Sequence, residues 1–418
     1  MRLHFGFVLA AMVACTLVAC GGGGGGSGGG VTLSTNQEPY RVSGDSPHAP
    51  GCGPAPTANG AVFVNSEVEP FVAVDPTDPK VLLGAWQQDR WEDGGAKGLV
   101  IAVSLDGGVS WTRKAMPFSA CGGGNASNNG EFERASDPWV DIGADRTMYA
   151  MGLAANLSGA SNSKGFQNAM VVSRSTDQGR TWSTPVVLRG DGTNAFNDKN
   201  SLTVSTVDPK KVFAVWDRAE VVNMAPIGPL WLARSLDAGA TWQAAKKVYT
   251  PATGNALGNR IVVLRDGTLV DVFNSAECDP DAGSTCRGSV QVIRSKDDGD
   301  TWSPAITVSE NYGVPVAHPV NNTPLRAPAL PSIAVGPDDK IWITWHDARF
   351  SQTGLNSIAL SSSSDGGLTW TEPVAIQKDT STNAFMPSIT VAKDGTIAVS
   401  HYDFRGYASD RSKKLTNA

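Results

Sequence analysis

The chain has 418 residues, 41% hydrophobic and 18% charged, which suffices for one large all-β domain and gives no sign of a second. Lysine and arginine total 34 against 40 acidic residues, and no basic cluster exceeds Arg411-Ser412-Lys413-Lys414, so the charge balance argues against a nucleic-acid partner.

The chain opens on what reads as an export signal: Arg2 supplies the charged end, and Phe5 to Ala19 form an apolar stretch too short to span a bilayer comfortably. Leu17-Val18-Ala19-Cys20 resembles the lipobox of bacterial lipoproteins, which implies cleavage before Cys20 and acylation of that residue. Residues 1–20 are therefore expected to be a lipoprotein signal peptide. Residues 21–58 are expected to be an N-terminal segment whose start, Gly21 to Gly30 around Ser27, is a flexible tether. The expected location is extracytoplasmic, in a bacterial cell envelope, with the lipid as the sole membrane attachment. A monomer is expected.

Once Cys15 and Cys20 are set aside, Cys52, Cys121, Cys278 and Cys286 remain, and in an oxidising compartment they can pair in three ways. Pairing Cys278 with Cys286 and Cys52 with Cys121 is favoured because the first pair closes a short loop within one repeat. The spacing matches no zinc pattern and no metal site is expected, apart from a structural calcium that Asp279-Pro280-Asp281 in that loop could help hold.

From residue 59 to 418 the reading is of one repeating domain. Ser-x-Asp-x-Gly-x-Thr/Ser-Trp occurs five times, at Ser104–Trp111, Ser175–Trp182, Ser235–Trp242, Ser295–Trp302 and Ser363–Trp370. The aspartates, Asp106, Asp177, Asp237, Asp297 and Asp365, stand 71, 60, 60 and 68 residues apart, a period that marks an array of supersecondary units. Ser and Asp oxygens accept hydrogen bonds from backbone N–H groups just downstream, and the Gly takes positive φ freely, so each copy is expected to be a hairpin turn. Inner strands are expected to begin near Glu69-Pro70, Asp137-Pro138, Asn200-Ser201, Asn259-Arg260, Leu330-Pro331 and Met386-Pro387, each followed by a second strand. Six four-stranded units about an axis describe a six-bladed β-propeller. After Arg405 only residues 406–418 remain, so the last blade is expected to be incomplete.

Up-and-down strand order places the Asp turns on one face and the inner-strand starts and second-strand ends on the other, around a central funnel. That mouth collects Glu69, Asp93, Asp137, Asp217, Asp347 and Asp403 with Arg90, Arg218, Arg260, Arg349 and Arg405. Guanidinium forks suit a carboxylate ligand and a nearby Asp can shuttle a proton, although Asp and Arg side chains also form structural ion pairs between blades.

These five turns and their spacing resemble the Asp boxes of the sialidase superfamily over about residues 60 to 405. The resemblance implies a glycan or glycoconjugate partner, with exo-sialidase-type glycoside hydrolysis as the nearest activity. Family members use three arginines on the sugar carboxylate, an Asp acid/base, and a Tyr nucleophile assisted by Glu. It makes Arg90 and Asp93 candidates, from Trp86-Gln87-Gln88-Asp89-Arg90 followed by Asp93, and Arg349 a candidate third arginine. Arg218, Arg260, Arg405, Glu69 and Asp137 are candidate substrate-binding residues. The sequence also departs from the pattern. Val263 is aligned with the assisting Glu and Phe385 with the nucleophilic Tyr, and neither can do that chemistry; Tyr402 is the substitute to consider. Tyr40-Arg41-Val42 is a candidate displaced version of the family's first-strand Arg motif. The alternative expectation is a propeller that binds a glycan or an envelope protein through its funnel without cleaving it.

Overall fold

The computed structural model describes residues 41–53, 60–222, 225–278, 286–319 and 321–405. Cys20, Tyr40 and the Asp279-Pro280-Asp281 loop lie outside them. The described chain is almost wholly antiparallel β, in groups that follow chain order. The first holds β1 (Val62–Val74), β2 (Leu82–Trp91), β3 (Ala96–Ser104) and β4 (Thr112–Ala115). The second holds β5 (Arg134–Ile142), β6 (Met148–Ala155), β7 (Asn168–Ser175) and β8 (Val186–Asp191). In the third, β9 (Ala195–Val204), β10 (Val212–Val222), β12 (Leu230–Ser235) and β13 (Lys246–Tyr249) pair in turn, with the short β11 (Ala225–Gly228) beside the end of β10. Then come β14 (Gly254–Val263), β15 (Leu269–Cys278), β16 (Cys286–Ser295) and β17 (Ile306–Asn311). The fifth group is β18 (Ser332–Val335), β19 (Ile341–Asp347), β20 (Ser357–Ser363) and β21 (Val374–Ala375), and the last described pair is β22 (Ala384–Val391) with β23 (Ile397–Asp403).

The first strands of successive groups pack side by side, β1 on β5, β5 on β9, β9 on β14, β14 on β18 and β18 on β22, which arrays the groups around a central channel. The Lys393 ammonium, in the β22–β23 turn, donates to the Pro76 carbonyl at 2.7 Å and ties the last described group back to the first. In the first five groups the second and third strands are largely buried on both faces because each sheet is covered by its neighbours; β3 and β6 are buried along their whole length. Fully burying a Val, Leu or Ile in these layers contributes about 1.5–3 kcal/mol.

The five Ser–Asp turns share one hydrogen-bond pattern. In the second, the Ser175 hydroxyl donates to Asp177 Oδ1 at 2.8 Å and accepts from the Gly179 N–H at 2.9 Å, while Asp177 accepts from the Thr181 amide and hydroxyl. The Trp182 indole then closes on the Gly179 carbonyl at 3.1 Å. Arg174, just before the box serine, reaches the Ala238 carbonyl of the next group's turn, and Arg234 likewise reaches the Asp298 carbonyl and Asp300 Oδ1. The turn face is thus clasped from group to group.

A second repeat was not visible in the sequence. Five first strands carry a β-bulge at the same level, where two residues oppose one: Glu69-Pro70 against Trp86, Asp137-Pro138 against Gly152, Lys199-Asn200 against Trp216, Gly258-Asn259 against Phe273, and Met386-Pro387 against His401. The first residue of each has positive φ: 53° at Glu69, 52° at Asp137, 44° at Lys199, 70° at Gly258 and 52° at Met386. In three of them the second residue is proline, whose missing N–H removes no ladder bond where the ladder is already broken. The expected strand starts are therefore bulges, and four of these strands begin three to seven residues earlier at Val62, Arg134, Ala195 and Gly254.

Candidate functional site

The bulges deliver side chains from neighbouring strands to one level of the channel. Glu69 Oε2 accepts from the Gln87 amide at 2.5 Å, and the same amide donates to Ser136 Oγ at 2.9 Å. Ser136 donates to Asp137 Oδ1 at 2.5 Å, and the Lys199 ammonium sits 3.1 Å from Asp137 Oδ2 and 3.8 Å from Asp198 Oδ1. Arg90 joins through Gln87 Oε1 at 3.2 Å and the Gly95 carbonyl at 2.9 Å. On the fourth group, the Gly258 bulge N–H donates to Asp217 Oδ1 at 3.2 Å. A polar network therefore crosses the mouth from Arg90 to Asp198.

Glu69 is exposed at its bulge yet is closely surrounded by protein. That enclosure, together with the Asp137 carboxylate, pushes its carboxyl up to about 7. Burial works against ionisation of Asp137, but Lys199 and the Ser136 hydroxyl outweigh it and hold the carboxyl below its usual range. Of the two neighbouring carboxyls, Glu69 therefore has the greater proton affinity. Burial also raises Asp198 and Asp217, while Lys199 is stabilised as a cation by Asp137, Asp198 and Glu69 against its own burial. Neighbouring carboxyls with proton affinities driven apart are the usual basis for dividing acid and base roles.

The other predicted residues are placed differently. Asp93 forms a forked pair with Arg134, 2.6 Å from Nη1 and 3.4 Å from Nη2, and Arg134 itself lies over the buried Trp91 ring. The Arg134 hydrogen bond holds Asp93 below the normal carboxylate range, which suits a charge anchor and not a proton donor. Arg218 is forked onto Asp191 at 2.9 and 2.8 Å and also meets Glu220, within and between adjoining groups. Arg349 folds back on Asp347 at 3.0 and 2.9 Å, and Arg405 on Asp403. The repeated Asp-x-Arg theme at the ends of β19 and β23 is in both places a local turn closed by its own ion pair, with the arginine N–H donating to the aspartate at 2.9 Å. Arg260 stays at the channel, its guanidinium 5.2 Å from the Trp139 ring, which is stacked on Phe71 at 3.8 Å; burial lowers its pKa to about 10.

The two suspected losses are also relocated. Val263 ends β14 at the turn face, packed with Phe213, Val215 and Leu269, so the mouth-level residue of that strand is Gly258. Phe385 is 5% exposed and packs with Phe404 beneath Val316 and Leu325 of the 314–330 excursion, so it is an apolar anchor away from the open channel. Tyr402 is exposed and stacks on Phe385 with ring centroids 6.1 Å apart. Arg41 pairs with Glu67 at 3.0 Å, on the extended start of β1. Lys199 and Asp198 escaped sequence reasoning, though the Asp198-Lys199 pair ahead of Asn200-Ser201, in step with Glu69-Pro70 and Asp137-Pro138, was the available signal.

Cys52 and Cys121 are joined, Cα–Cα 5.4 Å, and hold the 41–53 strap on the first group; Cys278 stands directly opposite Cys286 in the β15–β16 ladder, where their side chains lie outside the described atoms. No cluster of three or more metal-ligating side chains occurs among the described residues.

A family model described as "BNR repeat-like domain" matches residues 229–400. No curated protein matches the chain in sequence. Among solved structures, a protein of unknown function from Dyadobacter fermentans is 15% identical with a TM-score of 0.51, covering 82% of this chain and 93% of its own. The NanB sialidase from Streptococcus pneumoniae is 12% identical with a TM-score of 0.50, covering 88% of this chain and 67% of its own. An ulvan lyase of polysaccharide lyase family PL25 is 11% identical with a TM-score of 0.50, covering 80% and 78%. Fold and repeats define an all-β propeller, similar in fold to the NanB sialidase, with a BNR repeat-like match over residues 229–400.

Proposed function

We propose that the protein is an exported, glycan-directed enzyme that cleaves glycosidic bonds at the channel mouth. Glu69 gives a proton to the leaving oxygen as the glycosidic C–O bond breaks, Asp137, kept ionised by Lys199, faces the positive charge that grows on the anomeric carbon, and a water then adds to that carbon and gives its proton to the Glu69 carboxylate. The observation that carries this reading is the carboxyl pair on neighbouring bulges, Glu69 exposed and Asp137 largely buried against Lys199, oppositely poised. The NanB protein is a sialidase and the ulvan lyase is bound to a -[GlcA(1-4)Rha3S]- glycan, so folds of this type are used on glycans. Exo-sialidase-type hydrolysis remains the nearest activity implied by the sequence, and a fluorogenic sialoside belongs in the assay beside neutral and uronate-bearing glycans. Glu69→Gln and Asp137→Asn are each expected to lower turnover about 10²–10⁴-fold with the fold intact. Glu69 must be protonated and Asp137 ionised, so the rate should fall as pH rises through about 7, and fall again in acid as Asp137 takes up a proton. No release from any glycan by folded parent protein would end this reading.

The non-catalytic alternative is favoured by one observation: Asp93, Arg218 and Arg349 are fastened in internal ion pairs. Calorimetry showing a glycan bound and left intact would support it. Acylation of Cys20, and envelope anchoring through it, belong to the same proposal; metabolic labelling with an alkyne fatty acid should mark the parent and not Cys20→Ala.

A further inference from the structure

The exposed aromatic rings of the described chain are not spread evenly. Phe63 at the start of β1, Phe196 at the start of β9, Tyr312 after β17 and Tyr402 near the end of β23 all lie on the mouth face, whereas the exposed large apolar side chains of the Ser–Asp turns are aliphatic, as at Leu105, Leu236 and Leu368, and the turn tryptophans are half-buried. Tyr312 is the most developed of these positions. Its ring is 52% exposed and is backed by the Arg349 guanidinium at 4.8 Å. Its hydroxyl donates to Glu310, and Arg349 is itself locked by Asp347 and by Ser309 Oγ at 2.9 Å. The ring is therefore held in place before any ligand arrives, which removes part of the ordering cost of binding.

We infer that Tyr312, with Glu310 and Arg349 beside it, is a sugar-stacking subsite on the rim that holds an extended glycan chain whose end enters the channel. A pyranose offers one face of C–H groups to an aromatic ring and equatorial hydroxyls to flanking charged groups, and Tyr312 presents that combination. The rings stand singly on different groups instead of merging into one apolar patch, which fits successive sugars of a chain and not a docked protein. This deepens the hydrolytic reading by naming an extended polysaccharide as substrate, but its test does not need turnover.

Affinity electrophoresis of the full chain through gels containing a neutral glucan, a polyuronate or a sialylated polymer measures retention directly. In the Glu69→Gln background, Tyr312→Ala should weaken retention on the polymer that binds by about tenfold or more, and Tyr312→Trp, which keeps a stacking ring, should restore it. Near-ultraviolet circular dichroism and the melting temperature check that each variant is folded. Equal retention of Tyr312→Ala and its parent overturns the inference, as does a parent retained by none of the polymers. Retention that depends on Tyr312 in a protein that releases no sugar sustains this inference and removes the hydrolytic reading.

Discussion

At the scale of single residues, the environment assigns opposite behaviour to one side-chain type. Asp177 and its counterparts in the turns accept hydroxyl and amide hydrogen bonds and are drawn down, to about 2 at Asp177, while Asp271 is pushed up to about 7 by burial. Asp271 Oδ2 accepts from Asn259 at 3.1 Å, but its Oδ1 and the Asn259 Oδ1 are buried without a donor among the described residues, a gap that a proton on Asp271 helps fill. A carboxyl raised in the folded state binds its proton more tightly there, so its contribution to stability falls as pH rises from about 4 to about 7. Asp271→Asn is expected to remove that fall, stabilising the protein at pH 8 by roughly 2–4 kcal/mol and changing little at pH 4, as read from urea midpoints at both pH values. Glu69 and Asp137 were legible as mouth residues because each precedes a proline at matching places in two repeats. The pairing of Asp93 with Arg134 was not, because it joins positions 41 residues apart through the fold of a neighbouring group.

Among elements, the bulge is the unit that makes the site. By opposing two residues to one and turning the first to positive φ, it re-aims Glu69, Asp137 and Lys199 toward the channel, while the rest of each strand follows the sheet. Glycine serves where a neighbouring side chain comes close: a Cβ at Gly258, whose φ is 70°, would stand 2.6 Å from Leu330 Cδ2, just ahead of β18. Gly258→Ala is expected to cost about 1–3 kcal/mol and to disturb the Asp217 contact, measurable as a lower denaturant midpoint. Periodicity found the strands but misjudged the bulges as strand starts, because a positive φ in a non-glycine residue leaves no compositional mark. It also missed that residues 314–330 fold back over Phe385 and Phe404. That contact depends on which apolar groups the last described hairpin leaves uncovered.

For the whole molecule, neighbouring groups are held by apolar layers and by arginine clasps on the turn face, and the Cys52–Cys121 bridge, which spans a sequence separation of 69, fastens the 41–53 strap to the first group. Replacing both cysteines by serine should lower stability by about 2–4 kcal/mol, and reductant should bring the parent to the same denaturant midpoint. The sequence by itself determined the all-β class, the repeat and the chemistry of each turn, since Ser, Asp, Gly and Trp meet within eight residues and need no distant partner. It also separated the turn face from the mouth face through strand alternation. Only the tertiary structure decided which mouth charges are fastened in separate ion pairs and which converge on one another. Arg218, Arg349 and Asp93 are satisfied by local or neighbouring partners, whereas Glu69, Asp137 and Lys199 converge from three strands. Their proton affinities arise from that convergence, because burial and facing charges act through space and not along the chain.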